Sequence, residues 1–129
     1  MPLFMKFLVV HGLFFFAVGV IMVFPGGTRR IAGNVVSYSE WWSSYAGLTF
    51  SVVAFGLGAG VTSLLKKLEH ARRIYFGVLC GAFVVVLISN SALLGRADWS
   101  IPSVIYLCAI YWYLFHKKSV NAYFDASDL

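Results

Sequence analysis

Apolar residues along this chain gather into four runs, at residues 3–24, 41–65, 74–95 and 100–116, and no acidic or basic side chain lies in the middle of any of them. Each run is about as long as the ~30 Å hydrocarbon core of a bilayer requires at ~1.5 Å of helix per residue. The pattern predicts an all-α membrane protein, four transmembrane helices in an antiparallel bundle. Residues 1–129 then form a single four-helix transmembrane domain, with no room for a soluble domain on either side.

Polar and small residues inside the runs show how the helices meet. Gly56 and Gly60 form a G-x-x-x-G pair in the second run, and Gly77 and Gly81 form another in the third. Lipid tails are as apolar as leucine, so helices in a bilayer associate by close backbone approach, which small residues one turn apart permit. Such pairs serve either packing within the chain's own bundle or a homodimer interface. At about 100° per residue, Thr49, Gly56 and Ser63 share one face of the second helix, and Ser44, Ser51 and Gly58 the nearly opposite one. A helix with two small faces is expected to lie between neighbours. Asn90 stands nearly opposite Gly81 on the third helix, so a second contact surface is expected there as well, from a partner or a second copy.

Charge sets the orientation. Lys6, Lys66, Lys67, Arg72, Arg73, Lys117 and Lys118 fall on one side, seven in all, against Arg29, Arg30 and Arg96 on the other. The positive-inside bias then predicts cytoplasmic N and C termini, which an even number of spans also requires. Trp41, Trp42 and Trp99 mark the outer boundary, and Tyr111, Trp112 and Tyr113 approach the inner one, because amphipathic rings favour the headgroup level. Pro25, Gly26 and Gly27 end the first helix, and the connection up to Glu40 is expected to lie on the membrane surface. Beyond Lys118, the helical spacing of Val120, Tyr123 and Phe124 predicts a continuation along the inner interface.

Composition agrees, at 60% hydrophobic, 18% aromatic and 12% charged residues, far from a soluble domain. The first run is longer than a secretory h-region and lacks a small-x-small cleavage site, so it reads as a retained helix. Cys80 and Cys108 have no C-x-x-C spacing and read as small apolar residues.

Few groups carry chemistry. Asn90, flanked by Ser89 and Ser91, is the most polar position of the outer half, suited to helix-to-helix hydrogen bonds or to a polar ligand. His11, on a face with Phe14, Phe15 and Val18, is a structural hydrogen-bonding group, a proton-sensitive one or an axial haem ligand; a bis-histidine haem would need His11 of a second copy. These four residues form the candidate intramembrane polar site. Lys66, Lys67, Arg72 and Arg73 form a basic loop that anchors topology and attracts anionic headgroups. The acids Glu40, Glu69, Asp98, Asp125 and Asp128 are scattered, and no H-E-x-x-H, Walker loop, G-x-S-x-G or carboxylate pair occurs. No metal site, no cofactor, no enzyme activity and no nucleic-acid partner is expected.

In length and span count the chain resembles the small multidrug resistance exporters, four-helix proteins that work as dimers. Those depend on a membrane-embedded glutamate in the first helix, where this chain has His11 and no acid. The function expected first is therefore a non-catalytic accessory or assembly subunit of a larger complex, working by helix packing with a membrane-protein partner or as a homo-oligomer. Its expected location is the bacterial cytoplasmic membrane. Alternatives are an immunity protein against a membrane-acting toxin, and a small transporter or ligand-binding protein using His11, Asn90 and the serines.

Overall fold

The computed structural model describes residues 1–68, 70–94 and 100–125, with backbone only for 92–94. The sequence readings on Glu69, Arg96, Asp98, Trp99 and Asp128 lie outside the described residues. In chain order the elements are α1 (Leu3–Val23), β1 (Arg29–Ile31), β2 (Asn34–Val36), α2 (Tyr38–Ser43), α3 (Tyr45–Leu65), α4 (Ala71–Leu94), α5 (Ser100–His116) and α6 (Lys118–Asp125). The described residues are all-α apart from one hairpin. Leu3–Val23, Tyr45–Leu65 and the Ala71–Ser91 part of α4 are long and apolar enough to cross a membrane, and α5 is a shorter apolar helix.

Contacts across the bundle run in opposite senses along successive helices. Gly12 meets Val61, Phe16 meets Gly58 and Gly19 meets Ala54 between α1 and α3. Thr49 bonds Ser89, and Ser63 Oγ donates to the Ala71 carbonyl at 3.4 Å, between α3 and α4. Phe76 lies against Tyr111 and Phe83 against Tyr106 between α4 and α5. The four long helices are thus antiparallel neighbours, with α3 held between α1 and α4, as its two small faces lead one to expect.

The core concentrates at the end of the bundle that carries the N-terminus of α1 and the C-terminus of α5. Met5, Val61, Leu64, Ile110, Leu114 and Val120 are all at most 1% exposed there. The turn from α3 to α4 is compact because α3 ends in a Schellman motif. Leu68 N–H donates to the Ser63 carbonyl and Lys67 N–H to that of Leu64, with Lys67 at φ 47°, which satisfies carbonyls that the helix end leaves open.

The opposite end differs from the sequence reading in two ways. The connection after α1 contains a β-hairpin, which the sequence did not announce, pairing Arg29 with Val36 and Ile31 with Asn34. Its two-residue turn, Ala32-Gly33, has φ of 49° and 87°, the positive values that a type I′ turn needs. Arg29 is buried, and its Nη2 donates to the Met22 and Phe24 carbonyls at 3.0 and 2.8 Å. Tyr38 Oη donates to the Val23 carbonyl at 2.6 Å and its ring lies 4.8 Å from the Arg29 guanidinium. Arg29 of the hairpin and Tyr38 of α2 therefore supply donors that the last turn of α1 lacks.

The second difference is the start of the second span. Trp41 and Trp42 belong to the separate short helix α2, and the long helix begins only at Tyr45. Ser44 is extended, and its Oγ accepts from Gly47 N at 3.1 Å, so it caps α3 and breaks the chain direction. Gly47 leaves room for the Trp41 carbonyl against the first turn of α3. α2 carries its own capping box, with Ser37 N donating to Glu40 Oε2 at 2.7 Å and Glu40 N to Ser37 Oγ at 3.3 Å. At the other end, α6 is likewise not a continuation of α5 but a separate helix after Lys117, with Val120 fully buried.

Candidate functional site

The small residues of α3 are covered on both faces. A Cβ built on Gly60 would stand 3.2 Å from Tyr75 Cδ2 and 3.4 Å from its Cα, and one on Gly56 would stand 3.2 Å from Val78 Cγ1. On the other face, a Cβ on Gly58 would come within 2.8 Å of Phe16 Cγ. α1 contributes two glycines of its own, which the sequence reading missed. Any side chain at Gly12 would collide with Val61, and a Cβ on Gly19 would lie 2.8 Å from Ala54 Cβ. Gly12 and Gly19 are one heptad apart, a spacing that keeps them on one face and that could have been found beside the aromatics of that run.

The second G-x-x-x-G pair is placed differently. Among the described residues, nothing within 4 Å would meet a Cβ on Gly77 or Gly81. Both lie on a face of α4 that continues through Ile74, Val84, Ile88 and Ser91, all exposed. Their alternating spacing of three and four residues keeps this stripe about 100° wide. Ala71, Tyr75, Ala82 and Ser89, buried against the rest of the bundle, point the other way. A glycine in a helix interior costs roughly 0.5–1 kcal/mol against alanine. Two of them beside open surface make a backbone-accessible groove, the geometry by which helices approach closely in lipid.

The expected intramembrane polar residues do not converge. Ser89 is buried and pairs with Thr49 across the α3–α4 seam, whereas Ser91 is exposed on the α4 stripe. Asn90 is half-buried with no hydrogen-bond partner among the described residues. His11 lies on α1 between the rings of Phe7 and Phe15, at 5.2 and 5.5 Å. It borders cavities that Ser89 does not reach. Among the described residues no group of three or more His, Cys, Asp or Glu side chains is arranged to hold a metal ion.

The basic loop divides in two. Lys66 and Arg73 are exposed at the end of the bundle. Lys67 Nζ instead sits 4.3 Å over the Tyr123 ring. Arg72 Nη1 donates to the Leu114 carbonyl at 3.3 Å and to Asn121 Oδ1, with its guanidinium 5.2 Å from the Phe124 ring. These two cations hold α6 against the α3–α4 turn, and Arg72 also caps the end of α5.

Outside the apolar helices, the Ser37 backbone N–H and hydroxyl hold the Glu40 carboxyl below its usual range. No protein-family model matches the chain, and no curated protein or solved structure matches it.

Proposed function

We propose that this chain is a small, non-catalytic integral membrane protein that works by helix packing, as an accessory or assembly subunit of a larger complex in a bacterial cytoplasmic membrane. One observation carries the reading. Gly56 and Gly60 are covered within the chain, whereas Gly77 and Gly81 form a second stripe that nothing among the described residues covers. Close helix contact in lipid needs such a stripe and little else, so a partner helix has a place to dock without any ionisable group at depth.

The proposal includes four spans with both termini cytoplasmic. α5, with 17 residues, is about 25 Å long, which lies at the short end of the spanning range. The antiparallel order of the long helices and the seven-to-three division of basic residues favour that arrangement. With Cys80 and Cys108 replaced by serine, a cysteine at Ser37 reacts with an impermeant reagent from outside and one at Ser119 does not; the reverse labelling contradicts the orientation.

The packing role is tested by placing a photo-crosslinking side chain at Val84, on the stripe, or at Val104, exposed on α5. The Val84 probe yields one adduct with a distinct membrane protein that also co-purifies in fixed proportion, and the Val104 probe does not. An adduct of twice the chain's own mass would replace the subunit reading with a homo-oligomer, and a specific toxin as partner would replace it with immunity. Equal labelling from both positions rules out the stripe as the contact.

A further inference from the structure

α1 and α5 meet at the core-rich end, where the Phe4 and Tyr113 rings stand edge to face at 4.8 Å. Toward the hairpin they part. Between them, floored by α3 and α4, is a cavity of about 480 Å³ that opens to the bundle surface, bordered by His11, Phe15, Phe83, Ser103 and Tyr106 among others. A second of about 280 Å³ shares His11 and Tyr106 with it and reaches Tyr75. The larger volume falls within the range of small-molecule sites, about 300–1,000 Å³.

The walls define what fits. Among the described residues no Asp, Glu, Lys or Arg borders either cavity, so a charged ligand would meet no counter-charge there. The polar groups on the walls are the hydroxyls of Tyr75, Tyr106 and Ser103 and the His11 imidazole, and each hydroxyl can donate a hydrogen bond. The Tyr75 side chain is held in the bundle at 3% exposure and borders the smaller cavity, and its hydroxyl has no hydrogen-bond partner among the described residues. A hydroxyl that borders an apolar cavity gains a hydrogen bond when an acceptor enters. The surrounding rings favour a flat, conjugated occupant. His11 and Phe15 lie 5.5 Å apart on the α1 side, and Phe83 and Tyr106 lie 5.6 Å apart on the α4–α5 side. Aromatic faces of this kind stack on a planar ring.

We propose that these two adjoining cavities together bind an uncharged, membrane-soluble ring ketone of the quinone class. Its carbonyl oxygens accept from Tyr75 and Tyr106, its ring lies between the aromatic walls, and its tail leaves through the seam between α1 and α5. The site lies on the side of α4 away from Gly77 and Gly81, so it stands or falls independently of the packing stripe.

The test uses the purified full chain in mild detergent, titrated with decylubiquinone and, in parallel, with decylbenzene, which has the ring and tail but no carbonyl; bound probe is counted by native mass spectrometry. The site predicts one decylubiquinone per chain and at least tenfold weaker retention of decylbenzene. Tyr75→Phe and Tyr106→Phe each weaken decylubiquinone binding about five- to tenfold, the worth of one hydrogen bond, and leave decylbenzene unchanged. Tyr106 is partly exposed, so its variant keeps the fold even where Tyr75→Phe does not. Gly81→Leu leaves binding unaltered. Equal retention of the two probes, no retention of either, or undiminished decylubiquinone binding in Tyr106→Phe overturns the assignment.

Discussion

α3 and α4 are alike in length and apolar character, and each carries a G-x-x-x-G pair, yet their glycines meet opposite surroundings. Those of α3 touch Tyr75 and Val78, while Gly58 behind them touches Phe16. Those of α4 touch nothing among the described residues. The same motif therefore has two meanings, and the neighbour decides between them. In α3 it sets the distance to helices already present. In α4 it leaves a groove that suits one more helix. Lipid does not reward apolar contact as water does, so the distinction rests on shape: only a close-fitting neighbour gains from a missing side chain.

Substitutions sharpen this contrast. The largest effect is expected at the covered glycines. Gly12→Leu or Gly60→Leu must displace Val61 or the Tyr75 backbone, and overpacking of this kind costs about 1–3 kcal/mol. Unfolding in a detergent titration shows the loss, together with lower accumulation in the membrane. Arg72→Met removes the donor to Leu114 and Asn121 and the stacking on Phe124. Because Arg72 is half-exposed, the expected loss is about 1 kcal/mol. It is confined to the docking of α6, so proteases gain access after Lys117 while the α3–α4 seam stays intact. Thr49→Val breaks one hydrogen bond across that seam, worth about 0.6 kcal/mol in membranes, and the same titration resolves it against Gly60→Leu.

The pH dependence is local and smaller. The folded Glu40 carboxyl titrates below its usual value, so its contribution to the α2 cap is complete above the unfolded pKa and fades as pH falls through the lowered, folded one. Acidification frays α2 and leaves α3 and α4 unaffected. Amide exchange of Trp41 and Trp42 at pH 3 and pH 7 measures it, and Glu40→Gln abolishes the pH dependence.

Much of this arrangement is legible in the sequence, for identifiable reasons. The apolar helices are visible because no charge interrupts the centre of any run, and the burial of α3 between two neighbours follows from Thr49, Gly56 and Ser63 standing opposite Ser51 and Gly58. The hairpin was not legible. Its turn is Ala32-Gly33, without the Asn-Gly or Asp-Gly that marks a two-residue turn, and its strands have three residues each. Trp41 and Trp42 look like the first turn of a span, and only the extended backbone of Ser44 separates them from it. Lys67 and Arg72 read as headgroup anchors because their partners, Tyr123 and Asn121, are some fifty residues away in sequence. The convergence of His11, Tyr75 and Tyr106 was hidden for the same reason, since it depends on where α1 and α5 part.

The most direct measurement of the central claim compares Gly81→Leu with Gly60→Leu in the native membrane and as purified chains. Gly81→Leu is expected to change unfolding by no more than about 0.5 kcal/mol, as at an exposed position, while the larger assembly is lost from a native gel of mild-detergent extracts. Gly60→Leu instead destabilises the chain itself. A Gly81→Leu protein that folds normally and still enters the same assembly would contradict the account.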